Sequence, residues 1–311
     1  MNKKLLVLMV FLGTLVFEVK AQSHDIKLVF VGDIMLDGLP GQYIKNGKDP
    51  FANFKSLFKQ SDITIGNLEC AVGTTGKPEN KPYVFRAHPS VLPLIKKYFS
   101  AVSLANNHSV DYGPQAFSNQ IDLLDKYQIK YFGGGKDIRT AHEPVIFEVK
   151  GQRIAILGYD IFLPRSFEAL EDRPGTAWGD TDFIVADIKK AKSTHRADIV
   201  ITYPHWGWEG ERIASTNQVE LAHLMIESGA DAVVGGHPHV TQNIEIYKGK
   251  PIFYSLGNFV FDGFKTIETN TGWVLEMQIN QESEISWQIH KLKLDKNGIP
   301  KNIGIIRKSD K

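Results

Sequence analysis

Six side chains of types that bind metal ions follow five short, β-branched segments of the sequence. They are Asp33, Glu69, Asn107, His205, His237 and His239. Two carboxylates, an amide oxygen and three imidazoles suit Mn, Fe or Zn better than a metal that prefers soft thiolate ligands. Six donors are more than one tetrahedral ion needs, and they suit two ions about 3.5–4 Å apart that share a carboxylate. The pattern predicts one or two divalent transition metals.

Spacing supports this interpretation for the last two histidines. His237 and His239 flank Pro238. In an extended segment, residues two apart point to the same side, so we expect both rings to reach one centre or two adjacent centres. A single histidine after a strand is more often a hydrogen-bonded structural residue, and a single aspartate is more often a cap or turn residue. The prediction therefore depends on the whole set.

The segments before these donors have the pattern of buried strands. Short β-branched runs bounded by glycine or proline lie at 26–31, 63–65, 101–104, 199–203 and 232–234. Apolar residues at helical spacing predict helices at 114–127, 180–192 and 216–228. Alternating strands and helices predict an α/β core with parallel strands, and catalytic groups gather at the carboxyl edge of such sheets.

The last third of the chain has a different pattern. Segments 252–261, 273–279 and 285–294 resemble strands with no helix between them, and Asn297-Gly298 marks a turn. These features predict an antiparallel meander. We expect two packed sheets with helices outside, in a single domain over residues 22–311.

The first 21 residues have the features of a secretory signal peptide. A basic start precedes an apolar run, and Val19-Lys20-Ala21 places small residues at the cleavage positions. The alternative is an uncleaved membrane anchor. Cleavage is favoured over it, because the apolar run is short for a membrane span. We expect export to the periplasm or the extracellular space, with a soluble protein after cleavage.

Composition excludes several classes of protein. The chain has 311 residues, with 36 basic and 35 acidic side chains and a formal net charge of +1. It has no basic field for nucleic acid, and any attraction for a polyanion must be local. The one cysteine, Cys70, cannot form an internal disulfide, and we expect a small buried residue there rather than a catalytic thiolate.

The ordered motifs resemble those of the CapA family, which is linked to poly-γ-glutamate capsule synthesis, export or anchoring. The resemblance runs from about Lys27 to Asp262. Its motifs are Gly32-Asp33-Ile34-Met35, Gly66-Asn67-Leu68-Glu69, Leu104-Ala105-Asn106-Asn107-His108, His205-Trp206-Gly207, Gly236-His237-Pro238-His239 and Ser255-Leu256-Gly257-Asn258-Phe259. The family's domain is similar to the calcineurin-like metallophosphoesterases, which implies a four-layer sandwich of two mixed β-sheets flanked by helices.

The resemblance also implies how the donors divide between two metal sites. One site is complete and comprises Glu69, Asn107, His205 and His237. The other has fewer ligands and comprises Asp33, Glu69 and His239, because Met35 stands where phosphoesterases have a further histidine. His108 corresponds to a histidine near the substrate that does not bind the metal, and it would protonate the leaving group or stabilise charge.

Four further residues have two interpretations each. Asp111 either orients His108 or caps the helix that begins at Pro114. Arg86 binds a carboxylate or phosphate of the substrate, or it is a solvated surface residue. Trp206 lines the pocket, or it packs in the core. Asn258 supports the substrate-binding site from behind, or it shapes a turn.

Three functional classes follow from these residues. The first is an exported metal-dependent hydrolase or transferase that acts on a γ-linked glutamyl polymer or a similar envelope amide. The second is a phosphoesterase for an envelope or nucleotide substrate, and the third is a non-catalytic polymer-binding subunit. Met35 favours the first or third class, and His108 argues against the third. Expected partners are an anionic polymer or small envelope substrate and a membrane synthesis or export complex, without nucleic acid.

Overall fold

The structure is a computed structural model that describes residues 25–307. The predicted signal peptide at 1–21 lies outside the described residues. The strands are, in chain order, β1 (Ile26–Ile34), β2 (Ile63–Leu68), β3 (Ala71–Val72), β4 (Arg86–Ala87), β5 (Ala101–Ser103), β6 (Lys130–Phe132), β7 (Gly134–Gly135), β8 (Val145–Val149), β9 (Gln152–Asp160), β10 (Gly175–Thr176), β11 (Ile199–His205), β12 (Ala232–Val234), β13 (Ile244–Tyr247), β14 (Lys250–Phe253), β15 (Asn258–Val260), β16 (Thr271–Ile279), β17 (Ile285–Leu294) and β18 (Pro300–Arg307).

Helices connect many of these strands. The α-helices are α1 (Gly38–Lys45), α2 (Lys55–Gln60), α3 (Leu92–Tyr98), α4 (Pro114–Lys126), α5 (Ile138–Ala141), α6 (Thr181–Ser193) and α7 (Thr216–Ser228). Short 3₁₀ turns cover Ala52–Phe54, Pro89–Val91 and Arg165–Phe167. Between residues 25 and 307, no helix combines the length and the apolar character that a membrane crossing requires.

Two mixed sheets form the centre of the described chain. The first has the order β18-β17-β16-β1-β2-β5-β6, with β15 paired in parallel with the end of β1. Strands β1, β2, β5 and β6 are parallel, and β16, β17 and β18 form the predicted antiparallel meander. The second sheet has the order β13-β14-β12-β11-β9-β8, with a parallel centre and antiparallel edges.

Alternation along β1 shows how the layers form. Leu28 and Phe30 pack between the two sheets, whereas Val29 and Val31 pack on the opposite face against the outer helices. Successive side chains of a strand point to opposite faces, so one strand supplies two apolar clusters. A third cluster joins α6 and α7 to the outer face of the second sheet. The predicted four-layer sandwich of two mixed sheets flanked by helices is confirmed.

One predicted strand is wrong. Segment 252–261 is not continuous: β14 belongs to the second sheet and β15 to the first. The chain passes between the sheets at Ser255–Gly257, where Gly257 has a φ of 67°. That left-handed backbone favours glycine. The mostly apolar sequence on both sides of Ser255–Asn258 hid the break.

A polar cluster lies on the meander. Glu276 of β16 is buried, and one of its carboxylate oxygens accepts hydrogen bonds from His290 Nε2 at 2.9 Å and Gln288 Nε2 at 2.7 Å. The bond from His290 lowers the pKa of the Glu276 carboxyl from its ordinary value of 4.5 to about 2, although burial opposes that shift. The ionised form therefore stabilises the folded protein above about pH 4.5.

Glu276→Gln should destabilise the protein by about 2 kcal/mol at pH 7, because the variant loses hydrogen bonds to a charged group. A depressed pKa contributes stability that is lost as the pH falls through the folded-state value. The difference from the wild type should therefore shrink between about pH 4.5 and pH 2. Urea unfolding at several pH values measures it, with Glu282→Gln on the exposed hairpin as the control. If the difference in the free energy of unfolding between Glu276→Gln and the wild type stays the same at low pH, the lowered pKa of Glu276 is contradicted.

Candidate metal centre

Both sheets deliver side chains to one buried place. Asp33 lies near the end of β1 in register with Asn67 of β2, and Glu69 follows β2 directly. His205 ends β11, while Asn107, His237 and His239 lie in the loops that follow β5 and β12. All six predicted donors are buried, with at most 6% of any residue exposed. The structure thus brings together the residues that the sequence singles out.

The donors form two groups that share one carboxylate. Glu69, His205 and His237 form one group, and Asp33, Glu69 and His239 form the other. Within each group the potential ligand atoms lie within 4.8 Å of one another. Asn107 belongs beside the first group, because its Oδ1 is 2.9 Å from His205 Nε2. This division matches the two sites that the family resemblance implies.

Glu69 stands between the histidines of the two groups. Its Oε1 is 3.8 Å from His205 Nε2 and 3.6 Å from His239 Nε2. His237 Nδ1 is 3.1 Å from His205 Nε2, and His239 Nδ1 is 3.4 Å from an oxygen of Asp33. These separations are short enough for one carboxylate to serve two adjacent cations.

Unpartnered buried atoms show that the donor set fits divalent cations. Glu69 Oε1 and His237 Nε2 are buried and have no hydrogen-bond partner among residues 25–307. Leaving such atoms unpaired costs free energy, and buried charges in proteins are paired or coordinate metals. Two carboxylates, an amide oxygen and three imidazoles are also the ligand types that borderline divalent ions accept.

The protonation states of two histidines favour metal binding as well. Burial lowers the pKa of His205 and of His237 well below the usual range, and nearby imidazoles add to the effect. Neutral imidazole is the form that binds a metal. Burial and the charge of Asp33 raise the pKa of the Glu69 carboxyl well above its ordinary value, so its ionised form needs a compensating cation.

The backbone around Pro238 differs from the expected extended segment. His237 has a φ of 95° and His239 a φ of 57°, both in the left-handed region. Non-glycine residues adopt this region rarely and at a cost, and such residues cluster at functional sites. The two rings still converge, with centroids 5.9 Å apart. Convergence therefore comes from a strained turn and not from strand geometry.

Asn67 is a central residue that the sequence reasoning missed. Its Nδ2 lies 2.9 Å from Asp33 Oδ1, 3.2 Å from Glu69 Oε2 and 3.2 Å from His205 Nδ1. Its Oδ1 accepts a hydrogen bond from Asn106 Nδ2 at 2.8 Å. The signal was available, because Asn67 precedes Glu69 by two residues at the end of a strand.

Asn258 and Gly236 support the donors from behind. Asn258 is fully buried, and its Oδ1 is 2.9 Å from His239 Nδ1. It therefore orients a donor, as the support interpretation expects. A Cβ atom at Gly236 would lie only 2.9 Å from Asp33 Oδ1, so glycine permits the close approach of this loop.

His108 lies beside the donors and is held by Asp111. The Oδ2 of Asp111 is 2.8 Å from His108 Nδ1 and accepts a hydrogen bond from the Phe85 amide at 2.7 Å. Burial lowers the pKa of His108, although the bond to Asp111 works in the opposite direction. The N-cap residue of α4 is Gly113, and no described side chain caps that helix. This corrects the alternative that Asp111 is a helix cap.

An open cleft of about 450 Å³ gives access to this region. Asn107 and His108 line it together with parts of two loops, 73–81 and 164–179, whose loop-like sequences are consistent with a place at the border of a site. The other lining residues are Glu79, Asn80, Lys81, Pro82, Tyr83, Phe162, Leu163, Pro164, Ser166, Phe167 and Glu209. Phe162 also stacks on the His237 ring at 3.7 Å, so this loop covers the donors from one side.

The structure places two of the residues predicted to bind substrate outside this cleft. The Arg86 guanidinium is 4.0 Å from the centre of the Tyr112 ring, and its Nη1 donates to the Thr75 carbonyl. Trp206 is 1% exposed, and its Nε1 donates to the Tyr254 carbonyl at 2.9 Å in the outer apolar cluster. Neither residue lines the cleft of Asn107 and His108.

Met35 and Cys70 belong to an apolar cluster. Both are buried against the outer face of the first sheet, and Met35 Sδ accepts a hydrogen bond from the Asp37 amide at 3.2 Å. Burial raises the pKa of the Cys70 thiol to about 12. The thiol therefore stays protonated and is not a nucleophile.

Two solved structures resemble the fold. NAD nucleotidase from Haemophilus influenzae aligns with 90% of this chain and 54% of its own, at 14% identity and a TM-score of 0.48. A sulfate thiohydrolase from Thermus thermophilus aligns with 89% and 58%, at 10% identity and a TM-score of 0.49. At such scores the architecture is better judged from the sheets themselves.

Sequence comparison identifies the family of this chain. The chain is 34% identical to the PGA biosynthesis protein CapA of Bacillus subtilis over 256 residues, and 34% identical to the capsule biosynthesis protein CapA of Bacillus anthracis over 255 residues. These matches cover 79% and 78% of this chain but 66% and 61% of the relatives. The model of the bacterial capsule synthesis protein family PGA_cap matches residues 27–263, so the chain belongs to that family.

Proposed function

We propose that this protein is an exported, metal-dependent hydrolase or transferase that acts on poly-γ-glutamate, or a related envelope polymer, during capsule synthesis, export or processing. The observation that carries the proposal is the pair of buried donor groups that share Glu69, with Glu69 Oε1 and His237 Nε2 unpartnered among the described residues. The names of the Bacillus relatives support the polymer as substrate. The pattern of residues 1–21 supports export.

The chain's own residues have distinct tasks in this proposal. Asp33, Glu69, Asn107 and the three histidines would hold the cations, which when bound would polarise a carbonyl or phosphoryl group and activate water. Asp111 accepts the Nδ1 proton of His108, so the doubly protonated ring would give its Nε2 proton to the leaving group and be left neutral. Phe162, stacked on His237, excludes water from one side of the centre.

The charges around the cleft restrict how a polyanion is recognised. Glu79 and Glu209 carry negative charge at its lining, and the ammonium of Lys81 is already paired with Asp111. Attraction for the carboxylates of a glutamyl polymer must therefore come from cations at the donor groups. A membrane synthesis or export complex is the proposed partner, and no nucleic acid is expected.

An activity panel tests the proposed function. The purified protein, loaded with Mn²⁺ or treated with a chelator, is incubated with poly-γ-glutamate and with bis(p-nitrophenyl) phosphate. We expect Mn²⁺-dependent shortening of the polymer. Cleavage of the phosphoester alone would favour the phosphoesterase class, and inactivity on both substrates with Mn, Fe and Zn would leave a polymer-binding subunit.

The donor groups predict the metal content of variants. His237→Ala and Asn107→Ala should each weaken metal binding by about tenfold or more, because each removes a donor from the more complete group. Titration calorimetry with Mn²⁺, and metal analysis of the purified protein, measure the effect. His223→Ala is the matched control, since His223 lies on the outer helix α7 and contacts Glu245 and Tyr247 of β13, away from the donors. Equal metal content in all variants would contradict the proposal that these residues bind the metal.

The acid role of His108 predicts a different result. His108→Ala should keep the metal and lower turnover by about 10²- to 10⁴-fold, which is the usual range for general acid–base catalysis. Asp111→Asn should lower turnover less, because it only disturbs the orientation of the imidazole. Steady-state kinetics with Mn²⁺-loaded protein distinguish these outcomes. Unchanged turnover in His108→Ala would clear this residue of any catalytic role.

A further inference from the structure

Lys81 connects a cleft loop to the groups that perform the proposed chemistry. Its Nζ is 2.5 Å from Asp111 Oδ1, 2.5 Å from the Asn107 carbonyl oxygen and 3.4 Å from His108 Nδ1. Its side chain is 18% exposed, and Asp111 is fully buried. A long, flexible side chain is thus fixed on three neighbouring residues of one functional segment.

We propose that Lys81 is a positioning residue, which anchors loop 73–85 and sets the placement of Asn107 and His108. The inference rests on the proposed function, because Asn107 is a proposed metal ligand and His108 a proposed acid. Lys81 acts on Asn107 through the main chain, since it binds the carbonyl oxygen and leaves the side-chain amide for the centre. It acts on His108 through Asp111.

Other bonds of the same loop also converge on Asp111. The Glu79 amide donates to the Asp111 carbonyl at 2.8 Å, and the Phe85 amide donates to the Asp111 carboxylate at 2.7 Å. The Phe85 ring lies 4.5 Å from the His108 ring. Lys81 supplies the cationic partner of the buried Asp111 carboxylate. Removal of the ammonium therefore removes the charged contact that joins loop 73–85 to Asp111.

The same contacts argue against a role for Lys81 in holding the polymer. Its ammonium donates a hydrogen bond to the Asn107 carbonyl, forms an ion pair with Asp111 and lies 5.2 Å from the centre of the Phe167 ring. A lysine that bound substrate carboxylates would need its ammonium directed into the cleft. Loss of Lys81 should therefore affect turnover more than substrate binding.

Kinetics provide the first test. In Mn²⁺-loaded protein, with whichever of poly-γ-glutamate and bis(p-nitrophenyl) phosphate the wild type cleaves, Lys81→Met should lower kcat by about tenfold or more and change KM by less than about twofold. Lys81→Arg keeps the charge and should restore part of the loss. Lys77→Met is the matched control, because Lys77 is an exposed lysine of the same loop. Unchanged kcat in Lys81→Met, or an increase in KM alone, would overturn the inference.

Amide hydrogen exchange provides a second test that needs neither metal nor turnover. In Lys81→Met the amides of Glu79 and Phe85 should exchange about tenfold faster than in the wild type, while Lys77→Met leaves them protected. If the wild type proves inactive, the proposed function fails, and exchange alone then decides whether Lys81 anchors the loop. If these amides stay equally protected in Lys81→Met, the anchoring role of Lys81 is overturned, whether or not the wild type is active. If Lys81→Met does not fold, Lys81→Gln takes its place with the same expectations.

Discussion

The structure depends on the cost of burying charge where the two sheets meet. Asp33 and Glu69 are both fully buried, and burial together with the charge of Asp33 raises the free energy of the ionised form of Glu69. Burial lowers the pKa of His205 and of His237, so neither imidazole carries the compensating charge. Against the effect of burial, the contact with Asp33 raises the pKa of His239, and that ring offsets part of the charge. Hydrogen bonds from Asn67 offset part of this cost. A bound cation is the partner that would satisfy the rest, which explains why unpaired donor atoms persist in an otherwise packed interior.

The fold meets this constraint with rigid strands and strained turns together. Strand ends from both sheets fix Asp33 and His205, whereas His237 and His239 reach the centre only because their loop adopts left-handed backbone conformations. Gly236 allows that loop to approach Asp33. Strain of this kind persists only where the surrounding packing over-determines it. The two packed sheets supply that packing, so the stability of the sandwich maintains the geometry of the centre.

The sequence predicts the donors better than their surroundings, for a physical reason. Strand periodicity and polar strand ends are local signals, so the parallel core and the positions of Asp33 and His205 follow from them. Which face or loop receives a long side chain depends on distant residues. Arg86 therefore stacks on Tyr112, outside the cleft of Asn107 and His108, and the loop-like sequence of 73–81 indicated a border of the site without singling out Lys81. The break at Gly257 was hidden because an apolar run is compatible with one strand or with two.

The cleft links recognition to catalysis. Its lining presents the carboxylates of Glu79 and Glu209, and its one lysine is committed to Asp111. A polyanion would therefore be repelled by the walls and attracted only by cations at the donor groups below. Under the proposed function, the same ions would bind the polymer and activate the scissile bond, so loss of metal should abolish both binding and turnover. A protein that bound the polymer tightly without metal would need a separate basic surface. Under the proposed function, specificity would come from the shape of the loops around Tyr83 and Phe162 and from the placement of His108, because the described residues of the walls contribute no free cation.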